Sequence, residues 1–166
     1  MTTETRHEIP PIIITRVFDA PVDLFYKVWT EPEHIAKWWG PEGFDTRVEE
    51  YDFQVGGRSK FVMTGPDGTE YPVTGRFIEI VENEKVVSTD EFGEEYKEMA
   101  KKMGVEIPQI DTITALFEEV EGKTKLTLTM TYPSQHDRDL HKNMHVVEGW
   151  NSSFDCLDKH LATLAE

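Results

Sequence analysis

Eight apolar residues near the end of the chain, Leu140, Met144, Val147, Trp150, Phe154, Leu157, Leu161 and Leu164, recur at steps of three and four. That spacing puts them on one side of an α-helix. Ser134 and Asp137 give the helix a capping-box-like start after Pro133, and from there to Ala165 it would run about 45 Å at 1.5 Å per residue. An apolar stripe of this length has to be covered by an equally long apolar surface.

The rest of the chain supplies one. From Asp45 to Met130 the period changes to two, with segments rich in Val, Ile, Thr, Phe and Tyr separated by turn residues. Strands are predicted at 48–55, 59–64, 71–81, 85–92, 112–120 and 123–132, with turns at Gly56-Gly57, Gly65-Pro66-Asp67-Gly68, Glu82-Asn83-Glu84, Gly93 and Glu121-Gly122. The last hairpin makes Phe117 and Leu128 same-face neighbours. Residues 12–18, entered after Pro10-Pro11, add a first strand and bring the sheet to seven. Between this strand and the meander, Pro21 opens a short helix through Val22, Phe25, Val28 and Trp29. Thr30, Pro32 and Glu33 open a second one, which carries Ile35, Trp38 and Trp39 and ends near Gly40-Pro41. Tyr96, Met99, Ala100 and Met103 share a helical face, so 94–104 reads as a helical insertion supported at the sheet rim, either as a lid or as a helical surface loop.

At 166 residues the chain suits one domain, 1–166, with residues 1–11 as a flexible N-terminus. The formal charge of -15 repels phosphate backbones and anionic headgroups, which argues against nucleic acid and membrane surfaces as partners. A single cysteine, Cys156, excludes an internal disulfide and fits a cytoplasmic location. There is no apolar run long enough for a signal peptide or a bilayer span.

Several local patterns occur in a telling order. Arg16-Val17-Phe18-Asp19-Ala20-Pro21 leads into the first helix, Trp38-Trp39-Gly40-Pro41 closes the second, Gly56-Gly57-Arg58 turns between strands, Gly75 lies inside the long strand, and Gly149-Trp150 lies in the terminal helix. In this order they resemble the START-like, or birch-pollen-allergen-like, superfamily, and within it the branch related to the C-terminal domain of the activator of heat-shock-protein-90 ATPase. The resemblance implies an α+β helix-grip fold: a seven-stranded curved antiparallel sheet, two short helices after strand 1, and a long C-terminal helix packed across the sheet. It implies three functions in turn. These are binding of a small apolar or aromatic molecule between helix and sheet, a cochaperone-like role with a chaperone as partner, and a polyketide cyclase or aromatase activity.

The residues add their own reading. Four tryptophans, nine phenylalanines and six methionines supply material for a mostly apolar pocket, expected at about 300 Å³ or more. Its predicted lining is Trp38, Trp39, Phe61, Met63, Phe77, Phe117, Leu128, Met144, Val147, Trp150 and Phe154. Adjacent Trp38 and Trp39 cannot share a helix face, so one packs inward and the other lies near the cavity mouth. Gly149 in mid-helix costs about 1 kcal/mol relative to Ala, which a close strand or a ligand would explain. Gly75 suggests a bulge or bend. His141, His145 and Glu148 have a spacing that metal ligands use, but no HExxH pattern occurs, and the three read as a polar flank. No nucleophile elbow, phosphate loop or dinucleotide fingerprint is present, so neither a cofactor nor a catalytic set is assigned. An enzyme would need polar groups inside the cavity, with Arg58, Arg76, Asp90 and His145 as the candidates.

Overall fold

Alternation of apolar and polar residues sets the inner face of the sheet. In β1 (Ile12–Phe18), Ile12, Ile14 and Phe18 are buried, while Ile13 and Val17 face outward at 56% and 50% exposure. The computed structural model describes residues 9–40, 43–89, 91–92, 94–104 and 106–164. Most of the expected N-terminal segment 1–11, together with Pro41 and Asp90, lies outside them.

After β1 come α1 (Val22–Thr30) and α2 (Pro32–Trp38), then β2 (Asp45–Tyr51), β3 (Arg58–Thr64), β4 (Glu70–Val81), β5 (Lys85–Ser88) and a two-residue β6 (Glu91–Phe92). Helix α3 (Glu94–Met103) precedes β7 (Thr112–Val120), β8 (Lys123–Thr131), α4 (Gln135–Asn143) and α5 (Val146–Leu164). The sheet runs β1-β8-β7-β5-β4-β3-β2, all antiparallel, with β6 paired to β4 off this path. It is the expected seven-stranded helix-grip sheet, and its first strand closes onto its last.

Three differences from the sequence reading matter. The segment predicted as one strand over 85–92 is split into β5 and β6, which pair with different halves of β4. Strand β4 changes register between Phe77 and Glu79, so the two halves face different neighbours. At Gly75 a Cβ would lie 2.4 Å from the Thr89 carbonyl oxygen, so the glycine admits a passing backbone beside that irregularity. The insertion is helical, but α3 does not stand over the cavity. Met99 lies beside Val62 and Pro72, on the face of β3 and β4 opposite to Phe61, so the lid reading is not supported by its position.

The third difference lies in the terminal segment. It is not one rod: α4 ends at Asn143, Met144 departs from helical geometry, and His145 takes a left-handed φ of +63° before α5 begins. Periodicity could not reveal this, because Leu140, Met144 and Val147 keep three- and four-residue steps across the break and no Pro or Gly marks it. His is among the side chains that enter the left-handed region more readily than most. The Gly149 amide still donates to the His145 carbonyl at 2.9 Å, so α5 starts cleanly on the far side.

Only the later part of the stripe is fully covered. Phe154, Leu157 and Leu161 are buried with β1, β7 and β8 residues in one core, whereas Met144 and Leu164 are 40% and 37% exposed. Phe154 meets Phe18 edge-on at 5.5 Å. At the helix surface Arg16 bonds Asp155 at 2.7 Å and Asp158 at 2.6 Å, which joins β1 to α5. Truncating Phe154→Ala is expected to lower equilibrium unfolding stability in urea by about 3–5 kcal/mol, and Leu164→Ala by less than about 1 kcal/mol. Equal losses at the two positions would contradict this account of the stripe.

Candidate functional site

Two neighbouring helix ends build the site. The Gly40 amide donates to Ser153 Oγ at 3.1 Å, and Ser153 Oγ donates to the Trp38 carbonyl at 2.9 Å, so the end of α2 is stitched to α5. His34 Nδ1 and His160 Nε2 lie 2.9 Å apart and make a second link between the same helices. Trp38 points into the core, 1% exposed, with its indole N–H on the Val28 carbonyl at 3.0 Å. Its neighbour Trp39 is half-buried and turns toward the sheet, 5.1 Å from Phe61 and edge-on to Trp150 at 5.0 Å and 85°.

Trp39, Trp150 and Val73 form a partition with open space on both sides. On the inner side is a cavity of about 80 Å³, walled by Trp29, Tyr51, Phe53, Phe61 and Phe77. On the outer side, at the helix break, is a mouth of about 230 Å³ bounded by Met63, His141, Met144, His145 and Gly149. The expected single chamber of about 300 Å³ is therefore not found. Trp29 stacks on Trp150 at 6.4 Å and 12°, and Phe25, Trp38, Phe117 and Phe154 fill the space that such a chamber would need.

Of the eleven predicted lining residues, Trp39, Phe61, Met63, Phe77, Met144 and Trp150 border one cavity or both. Trp38, Phe117, Leu128 and Phe154 border neither and stand in the solid core, because they sit where helix and sheet are in closest contact. Val147 is half-buried against that core. Phe117 pairs across from Leu126, which makes Leu128 its diagonal neighbour on the same face. Tyr51 and Phe53 were missed as lining residues. Tyr51 ends β2 and Phe53 lies just beyond it, both past the register shift between Val48 and Glu50; their alternation within the predicted strand 48–55 was a signal that could have found them, and Tyr51 spends its hydroxyl on the Thr30 carbonyl. Burial pushes its phenol pKa up, so the group stays neutral.

His141 is the polar residue that the sequence did not separate from its neighbours. It lies at the end of α4 and is 7% exposed. It borders the mouth cavity, and its Nδ1 is 2.7 Å from the Tyr132 hydroxyl. Burial pushes its pKa down to about 4. His145 by contrast is 78% exposed in its side chain and sits 3.8 Å from Glu148. The two histidines thus differ in burial although both border the mouth, and among the described residues no group of three His, Cys, Asp or Glu side chains is placed to hold a metal ion. Arg58 and Arg76 are exposed, and Cys156 is half-buried beside the core.

A sheet curled against a C-terminal helix, with an aromatic-lined space left between them, defines a START-like protein. The chain belongs to the Activator of Hsp90 ATPase homolog 1-like protein family, whose pattern matches residues 19–162. No curated protein matches it. Among solved structures it is similar to a Mycobacterium smegmatis protein, at 28% identity and TM-score 0.81, covering 95% of this chain and 94% of that one. It is likewise similar to an Arthrobacter aurescens protein, at 26% identity and TM-score 0.82, covering 94% and 88%. A Nitrosomonas europaea protein follows at 25% identity and TM-score 0.77, covering 95% and 97%. Among the described residues no helix is long and apolar enough to cross a membrane.

The depressed His141 pKa predicts a pH effect. The unfolded chain binds a proton near pH 6.5 and the folded chain only near pH 4, so stability is full above 6.5 and is lost as pH falls toward 4. Between pH 7.5 and 5 the contribution lost is about 2 kcal/mol. His141→Asn keeps a polar atom near Tyr132 and does not titrate, so urea unfolding of this variant is expected to show a shallower decline than the wild type over that interval. Parallel curves would contradict the buried, neutral imidazole.

Proposed function

We propose that the protein binds a small, uncharged apolar or aromatic molecule in the mouth cavity, with its apolar end against the edge-to-face pair Trp39 and Trp150. One observation carries the reading. Gly149 lies in the first turns of α5 and borders the mouth, and a Cβ added there would meet nothing within 4 Å. Neither a close strand nor a crowded neighbour requires the glycine, yet the helix forgoes about 1 kcal/mol relative to alanine. Space kept open at this cost, walled by two indoles and two methionines, suits a ligand of adaptable shape. The net charge of -15 selects against anionic ligands.

The family description supplies the alternative of a chaperone-binding domain. The geometry of the described residues contains no feature that favours it over the cavity. A cyclase or aromatase reading would need an ionisable group on the cavity wall, and His141 and the more exposed His145 stand there.

The test uses the neutral fluorophore N-phenyl-1-naphthylamine, titrated into wild-type protein, Gly149→Ala and Gly149→Leu. Wild type is expected to bind with a dissociation constant in the micromolar range. Gly149→Leu, whose side chain grows into the mouth, is expected to bind at least tenfold more weakly without a lower unfolding midpoint. Gly149→Ala should be as stable as wild type or up to about 1 kcal/mol more stable. Undiminished binding by a folded Gly149→Leu would overturn the proposal.

A further inference from the structure

We infer that His141 is the polar anchor of this cavity, and that the ligand class it selects is an aromatic or apolar molecule carrying a neutral hydrogen-bond acceptor such as a carbonyl oxygen. The inference rests on the cavity reading above and narrows it.

The geometry begins with the Tyr132–His141 pair, whose Oη and Nδ1 lie 2.7 Å apart in a buried setting. A phenol is a stronger hydrogen-bond donor than a neutral imidazole N–H, and an unprotonated ring nitrogen is a strong acceptor, so Tyr132 donates and Nδ1 accepts. The ring proton then resides on Nε2. Among the described residues the ring has no other hydrogen bond, and no fully buried side-chain nitrogen or oxygen is left without a partner. Nε2 therefore keeps contact with open space, and the open space that His141 borders is the mouth cavity.

Two further features support a donor held in place for a guest. The chain departs from helical geometry at Met144, three residues after His141, and the left-handed His145 is a backbone conformation of the kind that collects at binding sites. Both histidines border the mouth, but His141 is buried on its wall, whereas the His145 side chain is 78% exposed and lies 3.8 Å from Glu148. The other hydroxyl on the mouth wall, Ser153, is already committed to Gly40 and Trp38, which leaves it no proton to offer a ligand. Burial keeps the imidazole uncharged at neutral pH, which suits a neutral acceptor and makes the ring too weak a base for proton abstraction.

The experiment compares benzophenone with diphenylmethane, two molecules of similar shape of which only the first carries a carbonyl, by calorimetric titration at pH 7.5. Wild type is expected to bind benzophenone about five- to tenfold more tightly. His141→Asn, which keeps a polar atom at the Nδ1 position but none at Nε2, should bind both alike. His141→Gln, which restores an N–H near the Nε2 position, should recover the preference. Imidazole nitrogen NMR should show the proton on Nε2 in the free protein and a shift of that nitrogen on adding benzophenone. Diphenylmethane binding that Gly149→Leu abolishes, without any preference for the ketone, would overturn the anchor and leave the cavity standing. Failure of wild type to bind either molecule would overturn both, and a preference that survives in His141→Asn would overturn the anchor alone.

Discussion

The fold depends on how Phe154, Leu157 and Leu161 of α5 are received by the concave face of the sheet. Phe154 is the central contact: Phe18 of β1 meets it edge-on, and Trp29 and Trp150 pack beside it at 6.3 and 5.6 Å. Burying such a side chain removes a large apolar area from water, worth about 1.5–3 kcal/mol before any packing gain. Polar contacts on either side set the helix position. Arg16 holds α5 to the sheet edge, and Ser153 holds it to the end of α2. With the later half of α5 fixed in this way, the space near its start is determined by what the chain places there.

What it places there is small or turned aside. Gly149 contributes no side chain, and Met144 and His145 leave the helical path between α4 and α5. The same helix-to-sheet interface therefore has a dry, filled end around Phe154 and an open end around Trp150. Packing density accounts for the difference. Six aromatic side chains, Phe18, Phe25, Trp29, Trp38, Phe117 and Phe154, close the filled end, whereas the open end has two indoles standing as a partition and flexible methionines beyond them. The family assignment and the likeness to solved structures extend over nearly the whole chain, and the cavity is lined by this chain's own residues.

The sequence disclosed the frame because each element repeats its signal many times. Strand β8 alternates over all nine of its residues and β7 over its first six, and a one-residue slip of β8 would expose Leu126, Leu128 and Met130 together. Helix α5 shows its apolar side through Phe154, Leu157 and Leu161 in the same redundant way. Features made by one residue were not legible. The left-handed His145 is a single backbone angle, and the apolar spacing passes across it unchanged. Trp38 and Phe117 are as large and apolar as Trp39 and Phe61, so composition could not say which pair would face a cavity and which the core. His141 and His145 have equal standing in the sequence, and what distinguishes them is burial and the contact with Tyr132, nine residues upstream in the connection between β8 and α4.

The central claim is that open space at the break between α4 and α5 receives a guest, and the most direct measurement is a crystal structure of the protein soaked with 4-bromobenzophenone, located by the anomalous signal of bromine. The account predicts a bromine peak in the mouth cavity, with the aromatic rings against Trp39 and Trp150 and the carbonyl oxygen within hydrogen-bond distance of His141 Nε2. A peak only on the outer surface of the sheet, or an empty mouth in crystals that bind the compound elsewhere, would contradict it.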